Sequence, residues 1–216
     1  MKYISREDLP DLFACIAATM TEEENTLCIM DARLGDGDLG LTMKKGFCAL
    51  PEIIRGLPET DVGRCIVKAG MKLSSIVPST MGFLMSAGLM AGGKAISGAS
   101  SIGAAEFSAF LRGFADGIVN RGKCAPGDRT VLDAIDSAAK HAEACLHSSP
   151  GATLEAVASA AQKGASEGAE ATRSMEPRFG KAAVHKDAAI GTIDQGAYAG
   201  LCVISSMRKF IDDDLS

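Results

Sequence analysis

Apolar residues recur every three or four positions through most of the 216-residue chain. This spacing places them on one face of an α-helix, and the series Leu12, Phe13, Ile16 and Met20 is the first example. Runs of alternating β-branched residues long enough for a sheet are absent from the sequence. The chain is therefore predicted to be all-α, with helices after Ser5 and over residues 22–34, 41–50, 61–76, 79–96, 103–120, 128–146, 153–172 and 196–210.

Two of these helices have a start with a clear physical basis. Asp128 follows a bend at Pro126 and Gly127, and its carboxylate can accept hydrogen bonds from the first N–H groups of a helix. Thr153 can do the same for the next helix, where Glu155 adds a favourable negative charge to the first turn. We expect Asp128 and Thr153 to be N-caps.

The segment GLMAGGKA, residues 88–95, nearly matches a Walker A phosphate loop. Ala95 stands where that loop needs Ser or Thr to bind magnesium, and the segment lies within a predicted helix rather than after a strand. Its glycines are therefore predicted to be close-packing positions between helices.

Composition excludes several other classes of protein. The formal net charge is −5 and no Lys/Arg-rich run is present, so a nucleic-acid-binding surface is not expected. The longest apolar stretch, residues 78–93, is Gly-rich, shorter than a bilayer span and ended by Lys94, so no membrane span is expected. The seven cysteines form no C-x-x-C pair, and the N-terminus lacks the apolar centre of a signal peptide. We expect a single cytoplasmic domain over residues 1–216.

The segment MDARLGDGDLG brings Asp31, Asp36 and Asp38 within eight residues and separates them with Gly35 and Gly37. The glycines permit a tight backbone in which the carboxylates converge, and several hard oxygen ligands at close range suit Mg²⁺ or Ca²⁺. The spacing does not fit an EF-hand loop, because no Glu stands at the twelfth position. A solvated acidic turn is the alternative, since D-G-D turns are common.

Two further segments offer contacts to an anionic ligand at helix ends. RGKCAPGDRT combines bent backbone, a helix start and the cations Arg121, Lys123 and Arg129. Ser79 and Thr80 place hydroxyl groups at the start of another helix. Simple capping and surface solvation are the alternatives for both segments.

The stretch 173–195 has neither helical periodicity nor low complexity. A long irregular loop in a compact domain is more often functional than idle, and Lys181, His185 and Asp194 give this one the polarity of a ligand loop. Surface solvation explains its polarity equally well. No histidine forms an identifiable nucleophile dyad with a serine or cysteine, so hydrolase chemistry is not expected.

The acidic G-D-G-D loop, the turn SSIVPSTMG, the segment R-G-K-x-x-P-G-D-[KR]-T and the late G-x-x-D-x-G-A follow one another along the chain. Together they resemble the L subunit, or L domain, of dihydroxyacetone kinases over about residues 22–205. The resemblance implies a closed barrel of about eight antiparallel amphipathic helices. It also implies that ADP or ATP binds at one end of the barrel through two Mg²⁺ ions.

The resemblance also assigns site residues. Asp31, Asp36 and Asp38 match the family's metal-binding aspartates, and no catalytic residue beyond these ligands is implied. The positions that match the surroundings of the nucleotide are Leu39, Gly40, Leu41, Thr42, Ser79, Thr80, Gly122, Val131, Lys181, Asp194, Gln195 and Gly196. The implied mechanism is electrostatic, since the metal ions orient the terminal phosphoryl group toward a substrate hydroxyl.

Several positions depart from the family pattern. Leu39 stands where His or Cys is frequent, and Val77 and Pro78 stand where Gly-Gly is frequent. Gln195 replaces the usual proline, and Lys181 offers a point charge where Arg is usual. These departures leave the acceptor and the phosphoryl donor open, and they suggest a paralogous branch.

The resemblance implies a phosphotransferase with an alcohol acceptor that works as part of a multi-subunit enzyme. A separate K-type subunit is expected to present dihydroxyacetone or a related ketose. The donor is either ATP or a bound ADP that a phosphotransferase-system protein rephosphorylates. The alternatives are an ATP-dependent kinase subunit for a tetrose such as erythrulose, and a non-catalytic ADP-bound regulatory protein. A homodimer is also left open.

Overall fold

The computed structural model describes residues 2–179, 183 and 189–215. Its elements are α1 (Leu9–Glu22), α2 (Glu24–Ala32), α3 (Leu39–Arg55), α4 (Val62–Ile76), α5 (Thr80–Ala95), α6 (Ala104–Gly122), α7 (Val131–Ser148), α8 (Leu154–Ala171), a 3-10 turn (Thr172–Ser174), α9 (Gln195–Lys209) and a π-helical turn (Phe210–Asp214). The only β pairing in these ranges is a single bridge between Ile4 and Ile102. The all-α prediction is therefore confirmed.

Most helices pack against their neighbours in the sequence. α3 packs on α4, α4 on α5, α5 on α6, α6 on α7, and α7 on α8. α9 packs on α7 and α8 and returns to α1, which itself packs on α3. The pairings form a closed series, while the closed barrel that the resemblance implies stays a prediction, as does the single domain.

The main apolar core extends through this series of helices. Phe13, Phe47 and Phe114 are among its largest fully buried side chains, and they come from α1, α3 and α6. These three helices thus contribute the apolar stripes that their sequence pattern predicts. Burial of one such side chain contributes about 1.5–3 kcal/mol relative to leaving it in water. None of the described helices combines the length and the apolar character that a bilayer span requires.

Glycines let α4, α5 and α6 approach closely. A Cβ atom built on Gly63 would lie 2.4 Å from the carbonyl oxygen of Gly93, and one built on Gly117 would lie 2.3 Å from that of Ala87. These distances leave no room for a side chain, because helix backbones meet there at van der Waals contact. The GLMAGGKA segment lies inside α5, and the prediction that its glycines are packing positions is confirmed.

The predicted end of α3 is wrong. The helix continues past Leu50 to Arg55 and includes Pro51. Proline costs a helix one hydrogen bond. Leu50 and Ile54 are both fully buried, so the packing of the apolar face continues through the proline and offsets that loss.

The predicted cap of α7 is also wrong. The Oγ1 atom of Thr130, not Asp128, accepts the hydrogen bond from the N–H of Leu132 at 3.2 Å. Asp133 completes a capping box with Thr130, which satisfies the helix start without Asp128. The carboxylate of Asp128 instead accepts from the N–H of Ala125 at 2.7 Å. The predicted cap Thr153 is confirmed by a hydrogen bond within the first turn of α8. Ser79 caps α5 in the same way, which is the alternative that the sequence left open for it.

Candidate functional site

Three aspartates converge where α2 ends and α3 begins. Asp31 lies in the last turn of α2, Asp38 directly precedes α3, and Asp36 lies in the loop between them. One carboxylate oxygen from each lies within 4.8 Å of the other two. Asp31 is buried, whereas Asp36 and Asp38 are exposed. The structure therefore brings together the three carboxylates that the sequence pattern singles out.

The loop is folded around the side chain of Asp31. Its Oδ2 atom accepts hydrogen bonds from the N–H groups of Gly37 (2.9 Å), Asp38 (3.1 Å) and Leu39 (3.3 Å). Gly37 has a φ angle of +76°, a left-handed conformation that glycine adopts without steric cost. These bonds orient the Asp31 carboxylate and hold Asp36 and Asp38 beside it.

Two other glycines make room for this arrangement. A Cβ atom on Gly35 would lie 2.3 Å from Oδ1 of Asp31, and one on Gly40 would lie 2.0 Å from the carbonyl oxygen of Glu24. Because Gly35 has no side chain, space remains around the carboxylate of Asp31. Because Gly40 has none, the first turn of α3 packs directly on the first turn of α2.

The first turn of α3 contains the predicted nucleotide contacts that follow Asp38. Leu39 is buried, Leu41 is 56% exposed, and the N–H of Thr42 donates to the carbonyl oxygen of Asp38 at 2.9 Å. The first N–H groups of a helix have no carbonyl partner within that helix, and such groups bind anions. The acidic cluster is therefore followed directly by a helix start that can bind phosphate.

The donor set fits a small, hard cation. Carboxylate oxygens are the ligands that Mg²⁺ and Ca²⁺ prefer, and bound Mg²⁺ commonly keeps waters and substrate phosphates among its ligands. The exposed carboxylates of Asp36 and Asp38 leave such a cation open to a phosphate-bearing ligand. We expect Asp31 to bind through Oδ1, because its Oδ2 atom already accepts three N–H groups.

The start of α9 reaches this cluster. Gln195, the first residue of α9, donates from Nε2 to Oδ1 of Asp31 at 3.3 Å. A Cβ atom on Gly196 would lie 3.1 Å from the backbone nitrogen of Val131 and 3.3 Å from Cε of Met81. Because Val131 begins α7 and Met81 lies in the first turn of α5, three helix starts meet close to the aspartates.

The remaining described site residues lie on α5 and α6. Ser79 caps α5 by accepting a hydrogen bond from the N–H of Gly82 at 3.1 Å, and Thr80 is exposed at its first position. A Cβ atom on Gly122, the last residue of α6, would lie 3.0 Å from Cδ2 of Leu84, one turn along α5. These residues share one end of the helix assembly with Val131 and Gly196. Their contact with a nucleotide stays a prediction.

The DAK2 domain family model matches residues 33–209, which is most of the chain. The chain belongs to the DAK2 domain family. The resemblance that the four sequence motifs carry is therefore confirmed.

Relatives of this DAK2 chain are kinases or parts of kinases. It is 29% identical to the ADP-binding subunit DhaL of the PEP-dependent dihydroxyacetone kinase of Escherichia coli strain K12, over 90% of this chain and 91% of that subunit. It is 30% identical to the human triokinase/FMN cyclase over 91% of its own length, and it spans 34% of that protein. These relatives confirm the predicted enzyme class, a phosphotransferase with an alcohol acceptor.

The DAK2 fold is also seen in a solved structure. The dihydroxyacetone kinase from C. freundii, crystallised in complex with AMP-PNP and Mg²⁺, matches with a TM-score of 0.68 and 24% identity. The match covers 93% of this chain and 33% of that one. It establishes the shared helical fold.

Part of the predicted ligand loop of this DAK2 chain lies outside the described residues. Lys181 and His185 belong to that part. The role of Lys181 beside the phosphates therefore stays a prediction.

Arg129, one of the three cations that the sequence offers either to a phosphate or to the surface, is buried and donates to protein carbonyl groups. Its guanidinium donates to the carbonyl oxygens of Thr172 (3.1 Å), Met175 (3.3 Å) and Thr192 (3.0 Å). Its backbone adopts a left-handed φ of +60° two residues before α7 begins. Arg129 therefore joins the end of α8 to the segment before α9. The sequence left a phosphate contact and a solvated surface position open for Arg129, and neither describes it, because its guanidinium is buried and bonded to these carbonyl oxygens.

Asp194 caps α9 from a buried position. Its Oδ2 atom accepts from the N–H of Ala197 at 2.9 Å, and its own N–H donates to Oγ1 of Thr172 at 2.9 Å. Burial raises the pKa of Asp194 to about 6, and the nearby guanidinium of Arg129 opposes part of that rise. These contacts fix the start of α9, from which Gln195 reaches the aspartate cluster.

Asp133 supports the same end of the assembly and was not predicted. Its carboxylate accepts hydrogen bonds from the N–H groups of Gly127 (2.5 Å) and Thr130 (2.7 Å). Burial raises the pKa of Asp133, while these two hydrogen bonds act in the opposite direction. The T-x-x-D spacing of Thr130 and Asp133 is the sequence signal that identifies this residue.

Proposed function

We propose that this chain is the nucleotide- and magnesium-binding subunit of a dihydroxyacetone-kinase-type enzyme. It transfers a phosphoryl group to a small ketose that a separate K-type subunit holds. The observation that carries the proposal is the cluster of Asp31, Asp36 and Asp38 beside the starts of α3, α5, α7 and α9. Carboxylates bind Mg²⁺ and helix starts bind phosphates, so one end of the protein offers both groups that a magnesium–nucleotide complex requires.

The chain's own residues position the reactants. Asp31, Asp36 and Asp38 would hold two Mg²⁺ ions, which supply charge neutralisation at the phosphates when bound. Three backbone N–H groups fix the carboxylate of Asp31, and Gln195 ties it to α9. The N–H groups of α3 that follow Leu39, the first N–H groups of α5 that Ser79 does not cap, and the exposed hydroxyl of Thr80 would donate to phosphate oxygens.

A relative whose name describes it as an ADP-binding subunit supports a two-subunit enzyme. The E. coli protein named as an ADP-binding subunit has nearly the same extent as this chain, with 91% of it covered. The C. freundii kinase crystallised with AMP-PNP and Mg²⁺ is longer, and this chain covers 33% of it. The exposed carboxylates of Asp36 and Asp38 would then lie where the phosphoryl group passes to the partner.

Phosphoryl transfer with and without the K-type subunit is the direct test. The purified chain is incubated with Mg²⁺, dihydroxyacetone or erythrulose, and either ATP or phosphoenolpyruvate with phosphotransferase-system proteins. We expect a ketose phosphate only when the K-type subunit from the same source is added, and none with Asp38→Asn. Turnover by the chain alone would contradict the two-subunit arrangement. No turnover with either donor would favour a non-catalytic regulatory protein.

The contents of the purified chain distinguish the two donors. The protein is denatured, and any released nucleotide and metal are identified by chromatography and elemental analysis. Tightly held ADP supports rephosphorylation by a phosphotransferase-system protein. An empty site supports exchangeable ATP as the direct donor.

A further inference from the structure

Helix α5 is apolar on two opposite faces. Met85 and Leu89 pack into the core, whereas Phe83 and Met90 line an open groove of about 1090 Å³ between α4 and α6. The helix carries no charged residue before Lys94. A helix that is apolar all round is normally covered on every side. Within the described residues, nothing covers this outer face of α5.

The shape of the groove follows from the close packing of its helices. The floor of the groove is formed by small residues, namely Ala87 and Ala91 of α5 and Gly117 of α6. The groove is deep there because the two backbones touch and no large side chain fills the space. One wall is apolar and consists of Val67 and Met71 of α4, of which Met71 is 51% exposed. The small residues that permit backbone contact therefore also create a channel beside it.

The groove is basic although the whole chain has a net charge of −5. Its charged lining residues are Arg64, Lys68, Lys94, Arg121 and Glu59. The Glu59 carboxylate already pairs with Lys68, and the guanidinium of Arg121 lies 4.9 Å from the ring centroid of Phe83. Among the described residues, neither Lys94 nor Arg121 forms an ion pair. The groove thus offers positive charge that the protein leaves uncompensated.

The two uncompensated cations lie at opposite ends of the groove. Arg121 contacts Phe83 near the start of α5, and Lys94 lies in the last turn of α5. The eleven residue steps from Phe83 to Lys94 correspond to roughly 16 Å along a helix, which is three turns. An apolar channel of this length with a cation at each end matches a short helix that has one apolar face and acidic ends.

We propose that this groove binds an acidic amphipathic helix of a partner protein. Apolar side chains at every third or fourth position of that helix lie over Ala87 and Ala91, and its terminal carboxylates meet Lys94 and Arg121. A symmetric contact with a second copy of this chain would bring two basic rims together, which electrostatic repulsion disfavours. The site does not depend on the aspartate cluster or on the proposed kinase activity.

A synthetic peptide tests the proposal on the full-length chain. The probe is a fluorescein-labelled 16-residue helical peptide with Leu at every third or fourth position of one face and Glu at both ends. The matched peptide has Lys in place of Glu. Fluorescence anisotropy should show saturable binding of the Glu peptide and at least tenfold weaker binding of the Lys peptide.

Variants of exposed groove residues make the test specific. The double variant Lys94→Glu, Arg121→Glu should weaken the Glu peptide at least tenfold and improve the Lys peptide. Met71→Asp should weaken both peptides, because it places a charge on the apolar wall. Lys163→Glu combined with Lys209→Glu makes the same change in net charge on α8 and α9 and should leave binding unchanged.

Three outcomes would overturn the proposal. The first is the absence of saturable binding, or equal binding of the two peptides. The second is binding of anionic phospholipid vesicles, abolished by Met71→Asp, in place of the peptide. The third is a dimer in light scattering that Met71→Asp dissociates, which would assign the groove to a second copy. Asp38→Asn should bind the Glu peptide as the wild type does. A failure of the proposed kinase function can therefore be distinguished from a failure of peptide binding in the groove.

Discussion

The side-chain amide of Gln195 donates to Oδ1 of Asp31 at 3.3 Å, although 164 positions separate the two residues. This hydrogen bond connects the start of α9 directly to the aspartate cluster. The orientation of the buried Asp31 carboxylate therefore depends on α9 as well as on its own loop. A substitution at the start of α9 should therefore affect the orientation of Asp31 without changing any of the three aspartates.

Replacing Gln195 by Ala should weaken magnesium-dependent nucleotide binding roughly three- to tenfold, because a hydrogen bond of this kind contributes about 1 kcal/mol. Isothermal titration calorimetry with ADP or ATP in the presence of Mg²⁺ measures the change. Gln162→Ala on α8 is the matched control and should bind as the wild type does. Equal affinity in both variants would show that the contact with Asp31 does not support the site.

Asp36→Asn and Asp38→Asn should each abolish nucleotide retention and leave the helical fold intact. Each change removes an anionic oxygen ligand, and it also relieves like-charge repulsion within the cluster when no metal is bound. Calorimetry measures nucleotide affinity, and circular dichroism measures helix content. Asp116→Asn, at an exposed position on α6, should behave as the wild type. Wild-type affinity in the Asp36 and Asp38 variants would rule out the metal assignment.

Gly40→Ala should lower the free energy of unfolding by about 2–4 kcal/mol, because its Cβ atom would overlap the backbone of α2. The built Cβ lies 2.0 Å from the carbonyl oxygen of Glu24, a backbone atom that cannot turn away. Urea denaturation provides the measurement. Gly151→Ala is the control, since a Cβ at Gly151 meets no atom within 4 Å. If the two variants were equally stable, the close approach of α2 and α3 would be incorrect.

Arg129→Met should cost about 3 kcal/mol or more of stability, because buried carbonyl groups lose a charged donor. Arg129→Lys should recover part of the loss, since one ammonium group cannot reach the carbonyl oxygens of both Thr172 and Thr192 as a planar guanidinium does. Thermal unfolding ranks the three proteins. Arg208→Met, which removes a partly exposed arginine, should shift the midpoint much less. A fully stable Arg129→Met protein would contradict the buried network.

Asp194→Asn should become more stable relative to the wild type as pH rises. The pKa of Asp194 is about 6 in the folded protein, above its ordinary value of 3.8. The folded state therefore binds this proton more tightly than the unfolded state, and the associated stability is lost as pH rises through 6. The loss amounts to about 3 kcal/mol between pH values below 3.8 and above 6. Asn keeps the helix cap but does not titrate.

Denaturant unfolding of both proteins at several pH values measures the effect. The free energy of unfolding of the wild type minus that of Asp194→Asn should fall as pH rises. A difference that is independent of pH would show that Asp194 titrates normally.

Local patterns in the sequence predict much of this structure. The apolar spacing gives the helices, and the caps at Ser79 and Thr153 depend only on residues within one turn. The convergence of the three aspartates is also local, because two glycines and one short loop determine it. Even the missed cap at Thr130 has a local signal in the T-x-x-D spacing.

Long-range contacts explain what the sequence does not predict. In the sequence, Arg129 resembles a surface cation. It is buried because Thr172 and Thr192, which are distant in the sequence, pack against it and accept hydrogen bonds from its guanidinium. The contact between Gln195 and Asp31 likewise requires α9 to return to α2. The groove along α5 depends on how α4 and α6 flank it, and no single helix pattern contains that information.

The glycine contacts between α4, α5 and α6 have a consequence for the dynamics of the protein. Helix backbones that touch leave little room for local opening, so amide hydrogens in the middle of α5 should exchange with solvent only on global unfolding. Amides of the loop 33–38 donate to Asp31, but they belong to a short surface segment that can open locally, so they should exchange much faster. Metal binding should slow only the second group. Metal binding would then make the loop that carries the aspartates more rigid, whereas the packed helices α4, α5 and α6 are rigid without it.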